Sequence, residues 1–171
     1  EPELVVSGIN RGPNLGTDLI YSGTAAAARQ ATINGLPGIA VSLATYTGPF
    51  RYEALADLIA ERLDYFVSLW SPDVFININA PDAPDDFRFE VVEAAPSRRI
   101  YKDTIKFFDG PDGYSYCFFM DGHVDTHQER GSDEDVVTQG FAAVTRVLAY
   151  PCSAGISEPM AGLDRRNRTA P

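Results

Sequence analysis

The feature that most constrains this chain is the run Ser7-Gly8-Ile9-Asn10-Arg11-Gly12-Pro13-Asn14-Leu15-Gly16, followed closely by Tyr21-Ser22-Gly23-Thr24. Leu4-Val5-Val6-Ser7 is a short β-rich segment that ends at Gly8, as a buried parallel strand does in an α/β fold. Residues 8–16, rich in Gly, Asn and Pro, read as a loop. Ala25-Ala26-Ala27-Ala28-Arg29-Gln30 is a strong helix former, with Ser22 or Thr24 as N-cap and Gly35 as its stop. A loop that feeds a helix start presents unpaired backbone N–H groups at the positive end of the helix dipole, which favours anions. Gly23 lets such an anion approach the backbone, and Ser22 and Thr24 add hydroxyl donors. Asn10 and Asn14 each carry a carbonyl oxygen and an amide donor, so one can ligate a hard cation and the other bind phosphate. A glycine turn before a well-capped helix accounts for the same residues without any ligand. The glycine spacing does not match the dinucleotide fingerprint, and no Walker-type Gly-Lys-Ser/Thr occurs.

Downstream the α/β pattern continues. Residues 39–43 read as a second buried strand. Leu55, Leu58, Ile59, Leu63, Phe66, Val67 and Trp70 recur at helical spacing and predict one amphipathic helix over 52–70. Residues 74–79 form a third strand, closed by Pro81. Strands alternating with helices predict a sheet covered on both faces. Residues 87–92 alternate weakly, and 100–108 and 114–120 flank Asp109-Gly110-Pro111-Asp112-Gly113 as a long β-hairpin. Residues 131–139 are polar and acidic, 140–148 suit a late strand, and the tail after Pro151 reads as loosely ordered.

A length of 171 residues fits one domain. Its expected parts are an α/β core portion (1–85), the hairpin extension with the late strand (86–150) and a tail (151–171). The formal net charge of -10 argues against a nucleic-acid polymer as partner, because phosphate backbones need clustered Lys and Arg. No apolar run approaches the roughly 18 residues of a membrane span, so the chain reads as soluble and cytoplasmic with no membrane partner. Cys117 and Cys152 lack zinc-site spacing and read as free thiols rather than a disulfide. His123 and His127, near Asp121, Asp125 and Glu129, suggest a second metal site, but the mixed charges favour a solvated loop. The Tyr and Phe residues of 101–119 suit a hairpin packed on a partner chain better than a base-stacking surface.

The first run resembles the signature of the SurE (survival protein E) family of 5′/3′-nucleotidases, Ser-Gly-Ile-Asn-x-Gly-x-Asn-Leu-Gly and then Tyr-Ser-Gly-Thr before an Ala-rich helix. Further similarities follow in the family's order. Gly35-Leu36-Pro37-Gly38-Ile39-Ala40-Val41-Ser42 is similar to its Gly-x-Pro-x-Ile-Ala-Val-Ser segment, and Asn77-Ile78-Asn79-Ala80-Pro81 resembles its Asn-Ile-Asn-x-Pro. Gly131-Ser132-Asp133 with Gly140-Phe141-Ala142-Ala143-Val144-Thr145 resembles its late Gly-Thr-Asp and Gly-Tyr-x-Ser-Val-Thr region, with Ser132 and Phe141 as departures. The resemblance implies a Rossmann-like, SurE-type α/β sandwich, incomplete at the N-terminus, with a β-hairpin extension. It implies one divalent cation, Mg²⁺ or Mn²⁺, with Asn10 as a ligand. Asn14, Ser22, Gly23 and Thr24 would line the phosphate pocket, and the substrate would be a nucleoside 5′- or 3′-monophosphate. It also implies a homodimer or homotetramer. Asp133 is expected either near the active site or as a loop cap.

The family's other metal ligands lie in an Asn-Asp-Asp-Gly motif and in a serine further on, and no Asp-Asp-Gly occurs in this chain. Asp85-Asp86 is the one adjacent Asp pair and reads as solvated surface. With Glu1-Pro2-Glu3 at its start in place of an initiator Met, the chain is expected to lack an N-terminal segment. Hard cations prefer carboxylates and water to a single neutral amide oxygen. The expectation is therefore a phosphatase as a complete protein, with this chain alone inactive and left with an exposed strand edge. A non-catalytic phosphate-binding or oligomerisation module is the alternative; a dinucleotide-dependent oxidoreductase stands further off.

Overall fold

Four alanines behind a serine cap dictate the helix that organises this fold. In the computed structural model, which describes residues 1–127 and 129–151, helix α1 spans Gly23–Ile33. The Ser22 hydroxyl accepts from the Ala25 amide at 3.0 Å, and the chain turns away through Gly35 at a positive φ. Three parallel strands lie beside it: β1 (Val5–Arg11), β2 (Gly38–Leu43) and β3 (Val74–Ala80). The α1 alanines let the helix approach closely, so that a Cβ on Gly38 would collide with the Ala28 carbonyl oxygen.

The other side of the sheet is covered by α2 (Glu53–Glu61) and α3 (Leu63–Ser68). The alternating side chains Ile39, Val41 and Leu43 of β2 pack with Ile76 and Ile78 against Leu55, Leu58, Ile59 and Phe66. Ala40 and Phe75 turn the opposite way, onto Ala25, Ala28 and Leu19. Truncating one of these buried Leu or Ile side chains to Ala would cost about 2–5 kcal/mol. The single helix predicted over 52–70 is broken at Arg62, whose backbone is not helical, and nothing in the local sequence explains the break.

Sheet order is β1-β2-β3-β7-β4, with β4 (Val91–Glu93) and β7 (Ala142–Leu148) completing it. β7 runs antiparallel to β3, so the late strand joins the core sheet. Two helical pieces precede it in space: a 3-10 turn at Gly16–Ile20 and α4 (Asp133–Thr138), capped by Ser132. Val136 and Val137 of α4 pack on Leu15 and Ala143. Among the described residues β1 pairs with β2 alone, and it borders an apolar groove of Val6, Ile9, Val41, Ile59 and Leu63.

The extension is a two-stranded antiparallel hairpin of β5 (Arg98–Asp109) and β6 (Ser115–His127). It is longer than the sequence suggested, because residues 123–127 pair with β5 instead of forming a solvated loop. Ile105, Phe107, Phe108, Phe118 and Phe119 are all more than half exposed on it. Cys117 is an exposed free thiol of this hairpin, while Cys152 and the tail lie outside the described residues. His123 and His127 sit on β6, opposite Lys102 and Arg98; the metal reading concerns side chains outside that description. The architecture is an α/β sandwich with a β-hairpin extension.

Candidate functional site

Parallel pairing places Asn10, Ser42 and Asn79 side by side at the carboxyl ends of β1, β2 and β3. Ligands in open α/β sheets sit at those ends. β1 runs on to Arg11 rather than ending at Gly8, because Asn10 and Arg11 continue the ladder with Ser42 and Leu43 past an irregularity in register. The loop that follows is held from below by side chains. The Asn14 amide N–H donates to Asn79 Oδ1 at 2.8 Å, and the Asn14 carbonyl accepts from Asn77 Nδ2 and Asn79 Nδ2, each at 3.0 Å. Asn14 Nδ2 donates to Ser42 Oγ at 2.7 Å. Two strands distant in sequence, β2 through Ser42 and β3 through Asn77 and Asn79, thus converge on Asn14, a buried residue whose side chain still lines the cleft.

Gly16 is fixed in the same way. Its N–H donates to Asp133 Oδ2 at 2.8 Å, and a Cβ there would collide with the Ser97 carbonyl oxygen. Asp133 is fully buried and also accepts from the amides of Ser97 and Glu134, both at 2.9 Å. Of the two expectations for Asp133, the structure shows the loop-fixing role.

Asn10 bridges the loop and the start of α1. Its Nδ2 donates to the Gly12 carbonyl at 2.9 Å, and its Oδ1 accepts from Thr24 Oγ1 at 3.3 Å. The Thr24 proton is therefore turned to Asn10, whereas the Ser22 hydroxyl, an acceptor for Ala25, keeps its own proton to donate. The N–H groups of Gly23 and Thr24, at the first turn, have no carbonyl four residues back within the helix. Asn10, Asn14 and Ser22 share a cleft of about 750 Å³; Gly23 and Thr24 follow Ser22 directly.

A polar cluster closes the cleft on the hairpin side, and sequence reasoning missed it. Tyr101 donates its hydroxyl to the buried Asp18 carboxylate, which also accepts from the Leu15 amide at 3.2 Å. Arg99 Nε lies 3.2 Å from Asp18 Oδ1, Nη1 donates to Glu134 Oε1 at 3.3 Å, and Nη2 donates to Tyr46 Oη at 3.0 Å. Burial pushes the Asp18 carboxyl up, only partly offset by the Tyr101 hydrogen bond and the Arg99 charge. Burial likewise pushes the Tyr46 hydroxyl up. Burial opposes the Arg99 charge, but Asp18, Tyr46 and Glu134 outweigh it and raise the guanidinium. Tyr101 thus faces the cleft instead of joining the outward aromatic surface expected of the hairpin.

Among the described residues, no group of three or more His, Cys, Asp or Glu side chains could hold a metal ion. Asp85 and Asp86 are exposed, as expected of solvated surface. The residues present do not by themselves make a cation site: Asn10 Oδ1 is a single neutral oxygen already accepting one hydrogen bond.

The family model described as "Survival protein SurE" matches residues 1–103. A protein of Petrotoga mobilis named 5′-nucleotidase SurE is 38% identical over 150 residues, covering 86% of this chain and 59% of the relative. Its namesake from Symbiobacterium thermophilum is 39% identical over 147 residues, covering 85% of this chain and 57% of the relative. The crystal structure of the SurE protein from Aquifex aeolicus superposes with a TM-score of 0.68 at 27% identity, over 91% of this chain and 63% of that one. The chain therefore spans less than two thirds of the length of the relatives it matches.

Proposed function

The chain belongs to the SurE family, and from that premise we propose that the complete protein is a metal-dependent phosphomonoesterase of nucleoside 5′- or 3′-monophosphates, of which this chain carries the phosphate-holding part. One observation supports this reading most. Asn10, Asn14 and the capped start of α1 meet in one cleft at the carboxyl ends of parallel strands. The phosphate would take the Gly23 and Thr24 amides and the Ser22 hydroxyl, with Asn14 beside it. Donors fixed before the reaction stabilise charge that grows on phosphoryl oxygens. Asn10, braced by Thr24, is the one proposed cation ligand here. A divalent ion, Mg²⁺ or Mn²⁺, would supply activated water when bound, with carboxylates from outside the described residues.

The reading extends to a single domain that works in the cytoplasm as a homodimer or homotetramer. Among the described residues no helix is long and apolar enough to cross a membrane. The apolar surface of the hairpin supports a protein partner. A second reading, a non-catalytic phosphate-binding or oligomerisation module, is favoured by the missing carboxylate cluster among the described residues.

The test is metal-dependent release of phosphate from a nucleoside monophosphate by this chain and by a form extended upstream. Chelator-sensitive turnover in the extended form alone, lost on Asn10→Ala, is the expected result. Turnover in the short chain would overturn the assignment of the cation ligands, and inactivity of both forms would favour the binding module.

A further inference from the structure

One wall of the cleft comes from the base of the hairpin. Tyr101 and Asp103, two residues apart on β5, share a face, and Val124 stands across from Tyr101 on β6. Between the Lys102–His123 and Thr104–Met120 pairs, β5 has only Asp103 while β6 has both Asp121 and Gly122. Such a bulge re-aims side chains, and bulges recur beside active sites. Asp103 and Gly122 both line the cleft. The Asp103 carboxylate lies against Gly122, where a Cβ would collide with Oδ1. It has no hydrogen bond or ion pair within the described residues; its neighbour Lys102 is engaged by Asp125.

An unpartnered carboxylate in a phosphate-binding cleft repels the phosphate. It therefore faces the uncharged half of any ligand seated there. Tyr21 and Tyr46 line the cleft with Tyr101, and the Tyr21 and Tyr101 rings meet edge to face at 6.3 Å. Aromatic walls with one fixed acceptor suit a nucleoside, which offers a flat ring and N–H or O–H donors. Resting on the phosphate reading above, we propose that Asp103 is a specificity-determining residue: its carboxylate accepts a hydrogen bond from a donor on the nucleoside half of the substrate. The donor is an exocyclic amine or a ribose hydroxyl, and Gly122 is the residue that leaves room for the carboxylate.

The experiment is calorimetric titration of the chain as it stands, with Mg²⁺, using inorganic phosphate, AMP, 2′-deoxy-AMP and the monophosphate of purine riboside, which lacks the amine. The readout is the affinity for each nucleotide relative to phosphate, which cancels the general effect of removing a negative charge. Hydrogen bonds to charged groups are worth about ten- to hundredfold in affinity. Asp103→Ala is expected to lower the AMP-to-phosphate ratio by at least about tenfold. Gly122→Ala, which displaces the carboxylate, should lower it in the same direction. In the wild type, the analogue missing the contacted donor should show the same fall, and Asp103→Ala should no longer distinguish it from AMP. Phosphate binding with an unchanged ratio in Asp103→Ala would overturn this proposal alone. Absence of phosphate and AMP binding in the wild type would overturn the phosphate site itself, and this proposal with it.

Discussion

The side chain of Asn79 replaces a strand neighbour for the backbone of Asn14: Oδ1 accepts the Asn14 N–H at 2.8 Å while Nδ2 donates to the Asn14 carbonyl at 3.0 Å. A carboxamide carries the acceptor and the donor on separate atoms, whereas a carboxylate offers acceptors alone. Asn79→Asp keeps the acceptor but sets a carboxylate oxygen against the Asn14 carbonyl. Asn79→Ala leaves the buried Asn14 N–H without its partner. Either variant should lose about 1–3 kcal/mol of stability. Urea unfolding should show a lower midpoint at an unchanged slope, and an unaltered midpoint would remove Asn79 from the support of the loop.

Asp133 does for Gly16 what Asn79 does for Asn14. Its two oxygens accept three backbone N–H bonds, from Gly16, Ser97 and Glu134, in a fully buried position. Asp133→Asn turns an NH₂ group toward at least one of these donors, so a cost of about 1–3 kcal/mol is expected. The loop should loosen as well. Amide hydrogen exchange at Gly16 and Ser97 should quicken in this variant; unchanged protection there would contradict the fixing role.

Local signals carried much of this fold, and the limits of such signals explain the rest. The α1 cap at Ser22 and the strands at β2 and β3 were legible because capping and apolar runs are written within a few residues. The continuation of β1 to Arg11 was hidden, since Gly8 and Gly12 read as loop while the pairing that extends the strand comes from β2. Residues 123–127 looked like a solvated loop because an exposed hairpin needs no apolar alternation to pair. The motif singled out Asn10 and Ser22, and both line the cleft. The Asp18–Tyr101 contact was not legible, because its partners stand 83 residues apart and neither type is unusual at its position. Asn77 and Asn79 were visible as a motif, but their task, to hold the Asn14 carbonyl, emerges only when the strands are assembled.

Gly23 separates folding from binding. A Cβ at this position meets nothing within 4 Å, and Ala is the better helix former. Gly23→Ala should therefore leave stability unchanged or raise it by about 0.5–1 kcal/mol. If the anion approaches the first-turn amides, the added methyl occupies its path. The affinity for inorganic phosphate should then fall by about tenfold, equivalent to ~1.4 kcal/mol. Retained affinity in a stable Gly23→Ala variant would move the phosphate away from the start of α1.

Alkaline pH tests the contact that closes the cleft. Burial, followed by the hydrogen bond to Asp18 and the Asp18 charge, raises the Tyr101 hydroxyl above its ordinary value of 10.0. The folded protein then holds this proton more tightly than the unfolded chain does. The associated stability is complete below the ordinary tyrosine value and is lost as pH rises through the raised one. Tyr101→Phe has no proton to lose. Above about pH 10, the Tm of the wild type should consequently fall more steeply than that of Tyr101→Phe. Tyr46, also raised by burial, contributes in the same direction, so Tyr46→Phe should flatten the remaining slope. Parallel curves for the wild type and Tyr101→Phe would mean that Tyr101 ionises as freely in the folded protein as in the unfolded chain, and the latch between hairpin and loop would lose its electrostatic basis.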